Sequence, residues 1–435
     1  MNAPRRPRLI HAPISVLALL AVSALSLGFS SCDSWGSPFF HFRSPLPRQL
    51  SLIGEIGFEL TLPRHADAES LVVRLVDPEG ASMPVPGVAV GDRTGTGSVA
   101  IGEAGNYRLE AEVDARIFFF FARHLTAGTR FEIADLEHPD ECEILNDVEC
   151  LLPYPSSRFL VEDTSTQTGY RVDVPQLGIP KPTGPEIPKA MLNSLDGFSP
   201  TVQILMHFPG GVDVEQSGAS RLLAPECCGQ PAGPAWIDTR THDDRSLDHD
   251  SPTVLLDWDT GQRILHWLEV DARAEGSPER QALILRPAES LTPGHRYIVA
   301  VRNLVREDGT PVEAEPAFAA LRDFRPTDIP ALAERRLPML EIFHELRRAG
   351  VRRSELILAF DFVVQSEHQL THQMLTMRDK AFEWLEEQKG LGVQTFSAVG
   401  IEDFPNCAMD GGVHRRIVEG TFQSPLFLEA VPVLI

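Results

Sequence analysis

Between residues 49 and 136 the chain is cut into short runs: "SLIGEIGFELTL", "SLVVRLVD", "GSVAIG", "NYRLEAEVD", "IFFFFARH" and "TRFEIADL". Apolar and polar residues alternate within them, and Gly, Asp and Pro stand between them. Alternation at period two sends successive side chains to opposite faces, so each run can bury one side only by facing a second sheet. The expectation for 49–136 is therefore a small β-sandwich. A similar pattern occupies 199–325. "SPTVLLDWDTGQRILHWLEVD" reads as two strands joined by an Asp-Thr-Gly turn, and "RQALILRPAESLTPGHRYIVAVRNLVREDGTPV" as a further set with a turn at Asp308-Gly309. A polar excursion over 215–250 interrupts this second β domain.

The intervening 137–198 is rich in Pro, Ser and Thr, and reads as an irregular segment laid over the next domain. After 326 the period changes. Pro338 suits a helix start and Gly350 the position just past its end. Leu370, Met374, Met377, Ala381 and Trp384 recur at helical spacing as one apolar stripe. "LILAFDFVV" reads as a buried strand between the helices, and 392–435 returns to strand, so 326–435 is a helical segment with terminal strands. The expected fold class is mainly β with an α+β C-terminal part: immunoglobulin-like β-sandwiches plus a short helical segment.

The N-terminus carries an address. Arg5, Arg6 and Arg8 precede an apolar stretch from Ile14 to Phe29, too short and Ser-rich to span a bilayer comfortably. Residues 1–31 are expected as a signal peptide and 32–48 as a tether. Ser30-Ser31-Cys32 resembles the cleavage box of bacterial lipoproteins, which implies lipidation at Cys32, a membrane anchor and an extracytoplasmic location. Phe29 departs from the Leu usual in that box. Outside the cytoplasm disulfides form, and "CEILNDVEC" sets Cys142 and Cys150 around a polar turn at a spacing suited to a local one. Cys227, Cys228 and Cys407 are left with no pairing that spacing decides.

The formal charge is −22, from 61 acidic and 39 basic residues. Nucleic acid is not an expected partner, because phosphate binding needs a basic face. No Ser has Gly at both −2 and +2, so no nucleophile elbow is present. The nearest sequence, "GFSPT", has Pro200 where a backbone N–H would complete an oxyanion hole. "HQLTH" sets His368 and His372 at i, i+4, but Gln369 replaces the Glu of a zinc protease, and a solvated helix face explains both. His242 and His249 in "THDDRSLDHD", with Asp257 and Asp259 in "DWDTG", are the candidate cation ligands. An acidic loop and a hairpin turn account for them without a metal, and this is the preferred reading. No phosphate-cradling Gly loop occurs and no cofactor is expected; no catalytic residue is assigned.

Two resemblances add to this. "GEAGNYRLEAEVD", and the phrase L-x-P-G-x-x-Y-x-V-x-V followed by D-G-x-P-V, resemble bacterial immunoglobulin-like modules of surface-layer and adhesive proteins. "CLLPYPSSRFLVEDTSTQTGYRV", "LDGFSP", "SPTVLLDWDTG", "LILAFDFVVQSE", "MLTMRDKAFEWL" and "RIVEGTFQSPLFL" resemble the non-catalytic N-terminal region of secreted bacterial lipases and esterases of the virulence-factor type, over roughly residues 138–428. That resemblance implies an α/β-hydrolase domain beyond this region, carrying the Ser, Asp and His. The chain stops before such a domain begins, and none of those roles maps onto a residue here. The reading is an accessory region of a lipid-anchored hydrolase, truncated and non-catalytic as given. The alternative is a complete surface lipoprotein that adheres or binds a ligand through its immunoglobulin-like modules.

Overall fold

The structure is a computed structural model, and it describes residues 33–117, 121–136, 138–146, 149–179, 188–221, 244–274, 276–393, 396–403 and 416–425. The expected signal peptide over 1–31, Cys32, Cys227, Cys228, His242, Cys407 and the terminal run 431–435 lie outside them. The molecule is mainly β with an α+β C-terminal part, and divides into two compact units. One comprises residues 1–140 and 314–340, the other 141–313 and 341–435.

The first unit is a sandwich of two sheets. Its strands are β1 (Ser34–Trp35), β2 (His41–Ser44), β3 (Gln49–Leu52), β4 (Gly54–Thr61), β5 (Val72–Val76), β6 (Ser82–Pro84), β7 (Ala89–Val90), β8 (Thr94–Ile101), β9 (Gly105–Ile117) and β10 (Phe121–Ala134). One sheet runs β1-β10-β9-β5-β6, with β3 parallel to β10; the other runs β2-β4-β8-β7. Alternation does the sorting, as the pleat requires. Tyr107, Leu109, Ala111 and Val113 of β9, with Ala127, Phe131 and Ile133 of β10, point into a core completed by Phe40, Phe58 and Leu60.

Two boundaries differ from those expected. Residues 33–48 are not a tether. Ser34 and Trp35 pair with Thr129 and Gly128, His41–Ser44 pairs with β4, and Phe40 is fully buried in the core. Phe40 and Phe42 of this stretch supply core side chains. Residues 314–340, expected as the end of the 199–325 β domain and the start of the helical segment, return to this first unit. Helix α1 (Pro316–Arg322) leads to a segment where Leu50 N–H donates to Pro326 O at 2.9 Å and Thr327 Oγ1 donates to Leu50 O at 2.9 Å. Helix α2 (Pro330–Glu334) follows, and the unit boundary falls inside α3 (Arg336–Arg348).

The second unit holds β11 (Leu160–Glu162), β12 (Tyr170–Val172), β13 (Ile204–His207), β14 (Thr253–Asp257), β15 (His266–Val270), β16 (Ala282–Pro287), β17 (Arg296–Arg302), β18 (Leu356–Val363), β19 (Phe396–Asp403) and β20 (Arg416–Phe422). Two antiparallel three-stranded sheets, β13-β16-β15 and β14-β17-β18, form its centre, and β11-β12 and β19-β20 are separate hairpins. Every residue of β18 is buried, so the continuous apolar run "LILAFDFV" is covered on both faces. Because β18 pairs with β17, this β domain extends past the expected limit at 325. The expected surface excursion 215–250 is tied in at both described ends. Ala219 and Ser220 are buried, Ser220 O accepts from Leu268 N–H, and buried Ser246 Oγ accepts from His266 N–H.

Helix α4 (Glu367–Gly390) begins at Ser366, whose Oγ accepts from Gln369 N–H at 3.1 Å. It has no buried residue. No helix among the described residues is long and apolar enough to cross a membrane.

The sandwich core sets the first prediction. Leu109→Ala removes a fully buried side chain from β9 and should cost about 2–5 kcal/mol in urea unfolding. Phe39→Ala, at a side chain 64% exposed, should change stability by no more than about 0.5 kcal/mol.

Candidate functional site

β14 ends at Asp257, and the chain reverses through "DTG" with Gly261 at φ 71°, a left-handed conformation that suits glycine. Asp257 lies across from Tyr297 on β17, and His295 is two residues before Tyr297. By strand alternation Asp257, His295 and Tyr297 share one face. His295 Nδ1 is 3.0 Å from Asp257 Oδ2, and the Tyr297 hydroxyl reaches the same oxygen at 3.5 Å. The other oxygen, Oδ1, accepts the N–H groups of Asp259 at 2.9 Å and Thr260 at 3.1 Å. Asp259 Oδ2 accepts Arg296 N–H at 3.0 Å. Burial raises the Tyr297 phenol above its ordinary value, so it stays protonated as a donor.

Asp257, Asp259 and His295 can each turn one ligand atom to within 4.8 Å of the others. Three side chains fall short of the six to eight oxygens that calcium takes and of the four ligands of structural zinc, and equal the three protein ligands of an open catalytic zinc site. Both oxygens of Asp257 are already held by protein donors, two of them backbone N–H groups that fix the turn. Asp257 therefore closes the hairpin and orients His295.

A His–Asp pair with the carboxylate on Nδ1 is the acid–base half of a hydrolytic triad. Here the His295 side chain is 29% exposed while that of Asp257 is 5% exposed. Among the described residues no hydroxyl is hydrogen-bonded to the His295 Nε2. The pair can hold and orient a proton, but these residues bring no nucleophile to it.

The opposite face of the same strands carries a second polar group. Asp361 on β18 accepts Arg296 Nε at 2.6 Å and Ser157 Oγ at 2.8 Å. The Arg296 guanidinium also stacks 3.9 Å over Trp258. This satisfies the buried carboxylate as an ion pair needs.

Of the residues singled out in the sequence, Cys142 and Cys150 are joined by a disulfide. Asp257 and Asp259 come together with His295 rather than with His249. The His249 carbonyl instead accepts from the guanidiniums of Arg302 and Arg263. His368 and His372 stack on the surface of α4, with ring centroids 4.8 Å apart. Sequence reasoning missed His295, because its partner lies across a strand pair 38 residues away. The only signal was its place two residues before Tyr297, on the face that Asp257 shares.

One histidine is wholly interior. His266 is fully buried between Ile264 O, which accepts from Nδ1 at 2.8 Å, and the Thr253 hydroxyl, which donates to Nε2 at 2.9 Å. That pattern fixes the neutral ring. Burial lowers its pKa from 6.5 to about 4.

No known family model matches this chain, and no curated protein matches it.

The His266 pKa is lower folded than unfolded, so its stabilising contribution is complete above the unfolded value and is lost as pH falls toward about 4. The loss should approach about 3 kcal/mol in urea unfolding between pH 7 and pH 4, and that part should vanish in His266→Gln. Asp257→Ala should cost about 2–4 kcal/mol by stranding two N–H groups and the imidazole. EDTA should leave the Tm of the parent protein unchanged, whereas a Tm drop on chelation would mark a metal site.

Proposed function

We propose that this chain is the extracytoplasmic accessory region of a lipase or esterase, anchored by lipid at Cys32 and without a reaction of its own. One observation carries the reading: the apolar surface of α4 and of the hairpin that follows it. None of the helix's 24 residues is buried, and Met374, Leu375 and Phe382 are exposed at 66%, 42% and 58%. Val399, Val418 and Phe422 of the β19–β20 hairpin are 75%, 58% and 79% exposed. Large apolar side chains left exposed on the helix and on the hairpin suit surfaces that another body covers. The resemblance over residues 138–428 supplies the body, an α/β-hydrolase domain. The disulfide between Cys142 and Cys150 fits an oxidising compartment outside the cytoplasm. The fully hydrogen-bonded Asp257 supports a structural role for the one His–Asp pair described above.

A second reading has its own observation. A surface lipoprotein that binds a ligand through its immunoglobulin-like modules is favoured by an arginine-lined pocket on the first sandwich.

The purified chain should hydrolyse short-chain p-nitrophenyl esters no faster than a heat-denatured control. Addition of the hydrolase domain should quench the binding of a hydrophobic dye to α4, and Phe382→Glu with Met374→Glu should abolish that quenching. Ester turnover by the chain itself, lost in His295→Ala, would overturn the proposal.

A further inference from the structure

A cavity of about 510 Å³ opens in the first unit, on the outer face of the sheet that holds β9 and β10. Register sets its floor. Tyr107, Leu109, Thr129 and Phe131 are buried in the core, so Asn106, Arg108, Arg130 and Glu132 point outward. Arg108 lies opposite Arg130, and Asn106 opposite Glu132. The turn after β5 raises one wall through Asp77, and the residue before β3, Arg48, raises the other.

The charges of this cavity are answered within the protein. Arg325 pairs with Glu132, and Arg108 Nε lies 2.7 Å from Glu110 Oε1. Arg48 stands 3.7 Å from Asp33 Oδ2 and 3.8 Å from Asp323 Oδ2. An entering ion would have to compete with these pairs, whereas an uncharged ligand leaves them intact.

What the cavity leaves open is hydrogen bonding. Asp77 Oδ1 accepts Ala81 N–H at 2.7 Å, while no donor among the described residues bonds to its Oδ2. Among the same residues the Asn106 amide makes no side-chain hydrogen bond. The Arg48 guanidinium has both its carboxylates beyond hydrogen-bond distance. One spare acceptor, one spare donor fork and one amide that does both therefore line a single space. Backbone strain sits at the same wall. Arg48 has φ 61° and Phe324 φ 55°, a left-handed conformation uncommon for such residues and concentrated at ligand clamps. Arg325, next to Phe324, donates from Nε to Arg48 O at 3.0 Å and so ties the two strained residues together.

We infer that this cavity binds a neutral saccharide through Asp77, Asn106 and Arg48. A sugar hydroxyl donates and accepts at once. Neighbouring hydroxyls can give to the Asp77 oxygen, take from the Arg48 fork and do both with the Asn106 amide. Val76 and Pro78 line the same cavity and offer apolar surface to the sugar's C–H groups. The inference uses the first unit alone and stands apart from the reading of the chain as a hydrolase's accessory region.

The test is calorimetry on the full chain with maltose, lactose and diacetylchitobiose, and with glycylglycine as a zwitterionic probe. At least one disaccharide should bind, with an affinity that changes less than about twofold between low and high salt, because no ion pair holds it. Asp77→Asn keeps an acceptor for Ala81 N–H and turns the spare acceptor into a donor. That variant and Asn106→Ala should each lower the affinity about tenfold or more. Arg48→Gly removes the fork and relieves the left-handed strain, so binding should fall likewise while the ligand-free Tm holds or rises. A lower Tm with unchanged affinity in all three variants would make these residues structural and overturn the site. Binding of glycylglycine alone would overturn the saccharide assignment, and binding of no probe would overturn the inference. Ester turnover, which decides the accessory reading, is untouched by any of these outcomes.

Discussion

The pairing of β9 with β10 is the constraint on which the first unit depends. These are its two longest strands, and their register runs unbroken from Ile117–Phe121 to Gly105–Ile133. A slip by one residue would turn Leu109 and Phe131 to solvent and drive Arg108 and Arg130 into the core, so burial on one face holds the register firmly. The same register then fixes what the outer face displays. Core and pocket are two sides of one alternation, and the opposed arginines are a consequence of the pairing that buries Tyr107, Leu109, Thr129 and Phe131. The ends of the sheet are also governed by it: β1 completes one edge of β10 and β3 runs parallel beside it, so the chain on either side of residue 40 is committed to the sandwich.

In the second unit β17 plays the corresponding part. It is flanked by β14 and β18, and each of its faces carries a polar group at the same end. On one face Asp257 binds the turn, His295 and Tyr297; on the other Asp361 binds Arg296 and Ser157. Buried carboxylates need such company, because an unpaired charge in an apolar interior is costly. The arrangement secures the sheet end through its own hydrogen bonds. It also shows how an acid–base pair of catalytic appearance can arise from the needs of a hairpin: the carboxylate that closes the turn has a second oxygen to satisfy, and a histidine on the neighbouring strand satisfies it.

Much of this architecture was legible in the sequence, and the parts that were not share a cause. Period-two alternation disclosed the strands of the first sandwich, and the unbroken apolar run disclosed β18, because each pattern records a local relation between side chain and burial. Pairing across distance leaves no such record. The return of 314–340 to the first unit depends on Leu50 meeting Pro326 and Thr327, residues whose neighbours give no hint of each other. Residues 33–48 misled for a different reason: Ser, Gly and Pro suggested a tether, while Trp35, Phe40 and Phe42, which hold the segment down, were too sparse to show a period. His295 stayed hidden because its meaning lies entirely in Asp257, on another strand.

Charge distribution is the last place where the two kinds of information part. A net charge of −22 is a property of the whole chain and argued, as a total, against nucleic acid as a partner. Fields at a protein surface fall off within about 8 Å at physiological salt, so a ligand in a pocket responds to the side chains that line it. Arg108, Arg130, Arg48 and Arg325 come from distant positions in the sequence and form no basic run that a reading of composition could detect. Folding gathers them and sets acids beside them: Asp33 and Asp323 by Arg48, Glu110 by Arg108 and Glu132 by Arg325. The expectation drawn from net charge concerns extended polyanions such as nucleic acid, which must lie across many side chains.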